Sequence, residues 1–195
     1  MNSTVKAIDV PLPDWPVIVF IVAVHLLALT AFLPMTFSWP AVGVALFLHW
    51  LTVGVGVTLG YHRLITHRAF QVPKWVEYTL LFCATLSCQS PIEWVGKHRM
   101  HHRYSDTPDD PHDINKGFWW THVGWIFHKL PCDHLMDQYV KDIAQDPVYR
   151  FFDRTMLLWQ ALLGIVLFQD AVNAPRLLCL GLILAGIIGL KIFSP

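Results

Sequence analysis

The sequence predicts an all-α integral membrane protein, in which two transmembrane hairpins, about four spans in all, flank a helical polar domain. Three observations predict it. Of the 195 residues, 54% are hydrophobic and only 14% are charged, whereas a soluble domain carries about a quarter charged residues. Of the 14 Lys and Arg, all but Lys6, Arg176 and Lys191 fall between Arg63 and Arg154. Uncharged stretches of membrane-crossing length lie to either side of that block. The formal net charge is zero, and no nucleic-acid partner is expected.

The first apolar stretch, residues 15–33, has no charge over 19 residues, enough to cross roughly 30 Å of hydrocarbon. Pro34 ends it. A short uncharged connector leads into a second span over residues 41–61, where Gly54, Gly56 and Gly60 permit close helix approach. Together, residues 15–61 read as a tight first hairpin. The N-terminus lacks the cleavage site of a signal peptide. Residues 75–90 are too short and too charged at their start to span, so a helix lying against the membrane or the polar domain is expected. Pro91 then opens another helix.

Residues 105–113 are rich in Asp and Pro and predict a turn-laden loop. The segment G-F-W-W-T-H-V-G-W, from Gly117, carries the aromatic density of a membrane–water interface. Residues 133–154 alternate charge and predict surface helix. Apolar stretches at 156–168 and 177–193 make a second hairpin over 155–193. The connector between the first two spans has no Lys or Arg, so the positive-inside bias places the 62–154 region in the cytoplasm. Cys83, Cys88, Cys132 and Cys179 form no C-x-x-C pair and read as small apolar residues.

The chemistry is carried by histidine. His98, His101 and His102 stand at i, i+3 and i+4, so one helix face presents all three imidazoles. Such a face suits a divalent transition metal better than it suits three neighbouring charges. His62 and His67 follow the second span at i, i+5, about 140° apart on a regular helix. They share a metal only if the helix ends or distorts between them. Otherwise they reach different metals, or form a basic helix end at the lipid headgroups.

His49 lies 13 residues before His62, about 20 Å along the same helix, out of reach of that centre. His25 and His49 are expected to be satisfied by a neighbouring helix. Among the acids, Asp106, Asp110 and Asp113 are candidates to hold the outer N–H of ligating imidazoles, with capping and solvated turns as the plain alternative. His112 is a candidate spare or supporting ligand. Nitrogen ligands without thiolate suit iron, copper, nickel or zinc.

Taken together, G-Y-H-R-L-I-T-H-R-A-F, P-I-E-W-V-G-K-H-R-M-H-H-R-Y-S-D-T-P-D-D-P-H-D and G-F-W-W-T-H-V-G-W resemble the histidine boxes of membrane-bound fatty-acid desaturases, notably bacterial acyl-lipid Δ9 desaturases. The resemblance covers about residues 15–168. It implies a single cytoplasmic metal-binding domain between hairpins, holding a non-haem di-iron centre on His62, His67, His98, His101 and His102. It also implies O2 as oxidant and electrons from a ferredoxin or a cytochrome. The substrate would be an acyl chain on a membrane lipid or on CoA, which receives a cis double bond. Trp94 and Lys129 are then candidate substrate-binding residues. Acyl-CoA members carry a basic residue where this chain has Gly96, which favours a lipid-linked chain.

The resemblance further implies a third histidine box after the fourth apolar stretch. The sequence reaches Pro195 without one, so the expectation is a C-terminally truncated desaturase-like domain, inactive as it stands. Two other readings share these residues: a related alkyl or carotenoid hydroxylase, and a non-catalytic membrane metal-binding protein.

Overall fold

A computed structural model describes residues 11–34 and 37–168, so the fourth apolar stretch lies outside the described residues. The described residues are helical, apart from turns and one isolated antiparallel bridge between Pro13 and His128. Helix α1 (Trp15–Leu29) starts where Asp14 accepts a hydrogen bond from the Val17 amide, with proline in the first turn. It continues as a 3-10 turn to Phe32. Helix α2 (Trp39–His49) is capped by Ser38 in the same way, then runs on as a wide helix of i→i+5 bonds over Trp50–Thr66. Trp15–Phe32 and Trp39–Thr66 are long and apolar enough to cross a membrane.

Gly56 and Gly60 do permit close approach, but their partner is α3 (Lys74–Thr85) and not α1. A Cβ on Gly56 would fall 2.4 Å from the Ala84 amide nitrogen. The main partner of α1 is the turn Gly124–Phe127. There the Asp14 amide donates to the Phe127 carbonyl and the Lys129 amide to the Leu12 carbonyl, each at 2.8 Å. Among the described residues His25 and His49 are exposed, and His25 Nδ1 meets the Ile21 carbonyl of its own helix at 2.8 Å. A one-turn contact within the helix satisfies that ring nitrogen with no neighbour needed.

Helix α4 (Pro91–Tyr104) carries the triple-histidine face; its N-cap Ser90 accepts from the Glu93 amide and also donates to Asp153. Two short helices, α5 (Phe118–His122) and α6 (Met136–Tyr139), lie on the way to α7 (Lys141–Ala144) and the long α8 (Pro147–Phe168). The core gathers Tyr61, Leu64, Leu81, Ala84, Val95, Val140 and Tyr149. It therefore joins the end of the Trp39–Thr66 helix to α3, α4 and α8, just where the two histidine segments meet. Tyr78 and Tyr149 lock α3 to α8 by donating to Asp146 and Glu77.

Candidate metal centre

His62 stands in the last wide turn of the second helix, and His67 caps it with its amide donating to the His62 carbonyl at 3.0 Å. Closing the turn after five residues brings back onto one side the two rings that a 3.6-residue turn would separate. Their centroids are 4.6 Å apart. From α4, His98 and His102 face this pair. His98 Nε2 lies 3.3 Å from His67 Nε2 and 3.2 Å from His102 Nε2. One donor atom from each of His62, His67, His98 and His102 falls within 4.8 Å of the others.

Protonating such a cluster is unfavourable. Burial, then the neighbouring imidazoles, push His98 down to about 3. Burial first and then neighbouring imidazoles lower His67 and His102 as well. At neutral pH these rings are therefore uncharged, with lone pairs available to a cation. Trp94, one turn before His98, stacks on its ring at 4.9 Å and meets the buried Tyr61 ring at 5.6 Å.

His101 turns away from the four. Its Nδ1 lies 2.9 and 3.0 Å from the two Asp110 oxygens, and the Asp110 side chain is 1% exposed. Burial pushes that carboxyl up, but hydrogen bonds from His101 and from the Asp106 and His112 amides outweigh it and hold it below its usual range. His112 stacks on His101 at 4.0 Å with planes 20° apart, and Trp125 stacks on His112 in turn. His101, Asp110 and His112 are close enough to share an ion. Near-parallel rings, however, do not aim their in-plane lone pairs at one point. The arrangement is better suited to a carboxylate that orients His101 and leaves its Nε2 free for metal.

The remaining candidates fall elsewhere. Asp113 is buried and accepts from the Asn115 amide and side chain, while Asp106 contributes its backbone amide to Asp110. The Lys129 side chain is exposed, and its amide serves the bridge to Leu12. Sequence reasoning passed over Asp142, which takes the guanidiniums of Arg68 and Arg99 from the two histidine segments. Only its distance along the chain hid it. The donor set is imidazole nitrogen backed by a carboxylate, which fits a divalent first-row metal.

Residues 37–192 match the profile of the fatty acid desaturase family. The sn-1 stearoyl-lipid 9-desaturase of Anabaena variabilis is 52% identical over 165 residues, covering 84% of this chain and 61% of that protein. The enzyme of the same name from Synechocystis sp. is 53% identical over 157 residues, 80% of this chain and 49% of its own. The sn-2 palmitoyl-lipid 9-desaturase of a Nostoc species is 45% identical over 159 residues, 79% of this chain and 55% of its own. The chain thus spans about half to three-fifths of the length of these relatives. A profile match over most of its length, with both histidine segments inside the matched residues, makes this chain a member of the fatty acid desaturase family.

Proposed function

We propose that this chain carries the first two histidine boxes of a membrane oxidoreductase that introduces a Δ9 cis double bond into a lipid-linked acyl chain. The observation that carries the reading is the meeting of His62 and His67 with His98 and His102, within a chain similar to three acyl-lipid 9-desaturases. His62, His67, His98, His101 and His102 would hold iron, in a di-iron centre. Iron so held supplies reductive activation of O2, which an unactivated methylene requires because it offers no acidic proton to a base.

The protein's own part is positional. Asp110 orients His101 through Nδ1 and leaves Nε2 for metal, Trp94 walls the His98 ring, and the apolar core packs beneath the two histidine segments. Gly96 supports a lipid over a CoA carrier. A Cβ there would fall 2.1 Å from Met136 Sδ and 2.8 Å from Val140 Cγ1, so a basic residue at this position would have to displace both side chains. The electron donor would be a ferredoxin or a cytochrome.

The same reading makes the protein multi-pass, with four spans and the histidine region in the cytoplasm. Pairing of Leu12 and Asp14 with Lys129 and Phe127 supports it, since Trp125 of the adjoining turn stacks on His112 beside the site. The start of α1 is then on the membrane face that carries the histidines.

The test is expression of the full reading frame in a host that lacks Δ9 desaturation and supplies reduced ferredoxin. Gas chromatography of membrane lipids is expected to show new cis-9 monounsaturated chains, absent with His98→Ala. Lipids without new monoenes from the wild type, or monoenes that survive His98→Ala, would overturn the reading.

A further inference from the structure

The four imidazole rings meet only edge to face, so their spacing before metal arrives must be set from outside the cluster. His67 is the C-cap just past the end of its helix, and the chain leaves at Arg68 with φ 50°. Little regular structure holds that turn. The two histidines whose ring nitrogens approach to 3.3 Å across the segments are each followed by an arginine, His67–Arg68 and His98–Arg99, and both arginines converge on Asp142 of α7. Arg68 Nη2 donates to Asp142 Oδ2 at 2.7 Å. Arg99 forks onto both oxygens, at 2.7 and 3.0 Å. The same guanidinium donates to the Ile65 carbonyl at 2.9 Å and to the Tyr139 carbonyl at 2.7 Å. Those carbonyls lie in the final turns of the Trp39–Thr66 helix and of α6, where helix geometry leaves C=O groups without partners. One arginine from the metal helix therefore caps two other helix ends, and a planar, bidentate carboxylate holds it flat for the task.

We propose that Asp142, far in sequence from either box, is a positioning residue for the metal centre. By taking both guanidiniums it fixes the turn bearing His67 to the helix bearing His98, and with that the 3.3 Å approach of their ring nitrogens. Asparagine in its place keeps one acceptor oxygen, loses the charge, and cannot receive three N–H groups. The inference rests on the reading of these histidines as metal ligands.

The test uses the full-length protein in nanodiscs with Co(II) as probe metal, measuring affinity against a competing chelator and the d–d absorption spectrum. Asp142→Asn is expected to weaken Co(II) binding about 10–100-fold, the range for partners that orient ligands, and to shift the d–d bands. Arg68→Gln removes a side chain that is 71% exposed and lies outside the apolar core. It is expected to move affinity and spectrum in the same direction by less, and it decides the matter if Asp142→Asn does not fold. Asp146→Asn, which breaks the bonds to Tyr78 and Lys74 and touches neither box, is expected to lower thermal stability and leave the spectrum unchanged. Wild-type affinity and spectrum in Arg68→Gln and in any folded Asp142→Asn would overturn the proposal, as would an equal spectral shift in Asp146→Asn. A wild type that takes up no Co(II) would overturn the ligand reading itself, and this inference with it.

Discussion

An imidazole ligates metal through a nitrogen that carries neither a proton nor another partner. That rule leaves Nε2 as the ligating atom at several histidines of this chain, and their surroundings separate them. His101 gives Nδ1 to Asp110 within a group of candidate ligands, whereas His122 and His128 give Nδ1 to a backbone carbonyl one turn back, at 2.9 and 2.7 Å, and belong to neither such group among the described residues. Asp110 is the residue on which His101 depends. Asp110→Asn leaves the amide contacts from Asp106 and His112 possible but removes the charge that fixes the His101 tautomer. Iron affinity should fall about 10–100-fold, while His49→Ala, at an exposed position outside the cluster, should bind iron as the wild type does. Chelator competition on the two purified variants checks this, and equal losses would show that the carboxylate has no such role.

Among the elements, the pairing of α3 with the wide second helix sets the floor of the site. Gly56 meets the Ala84 amide nitrogen and Cα at 2.4 and 2.5 Å from where a Cβ would lie. Backbone cannot swing aside as a side-chain tip can. Gly56→Ala should therefore cost about 1–3 kcal/mol, the range for overpacked cores, and lower the thermal unfolding midpoint in detergent. Gly43→Ala, with nothing within 4 Å, should leave the midpoint in place; equal midpoints for both variants would refute this account of the packing.

What the sequence disclosed follows the same division. Of the i, i+3, i+4 histidines of α4, the meeting of His98 with His102 was legible because local helix geometry creates it, while the turn of His101 toward Asp110 was not, because its partner lies in the loop that follows. The union of His62 with His67 was legible only as an alternative, since i→i+5 bonding has no residue pattern of its own. The glycines announced a close approach without naming its partner, because α1 and α3 are both apolar neighbours in sequence.

For the molecule as a whole, the pattern is a membrane-type helix pair whose polar end is closed by contacts between residues far apart in the chain. Asp142 reaches Arg68 across 74 positions and Arg99 across 43, Gln160 reaches the Thr85 carbonyl across 75, and Ser90 reaches Asp153 across 63. No periodicity encodes such pairs, so the histidine spacing could be read from the sequence and the contacts that support it could not. The central claim is that these supports gather histidines from two helices into one nitrogen-lined metal site. X-ray absorption at the iron K-edge of the purified, iron-loaded protein tests it most directly. The account predicts a first shell of light nitrogen or oxygen atoms with the outer-shell scattering of imidazole, lost when His67 and His98 are both replaced by alanine. A sulfur shell, or a spectrum indifferent to that double replacement, would contradict it.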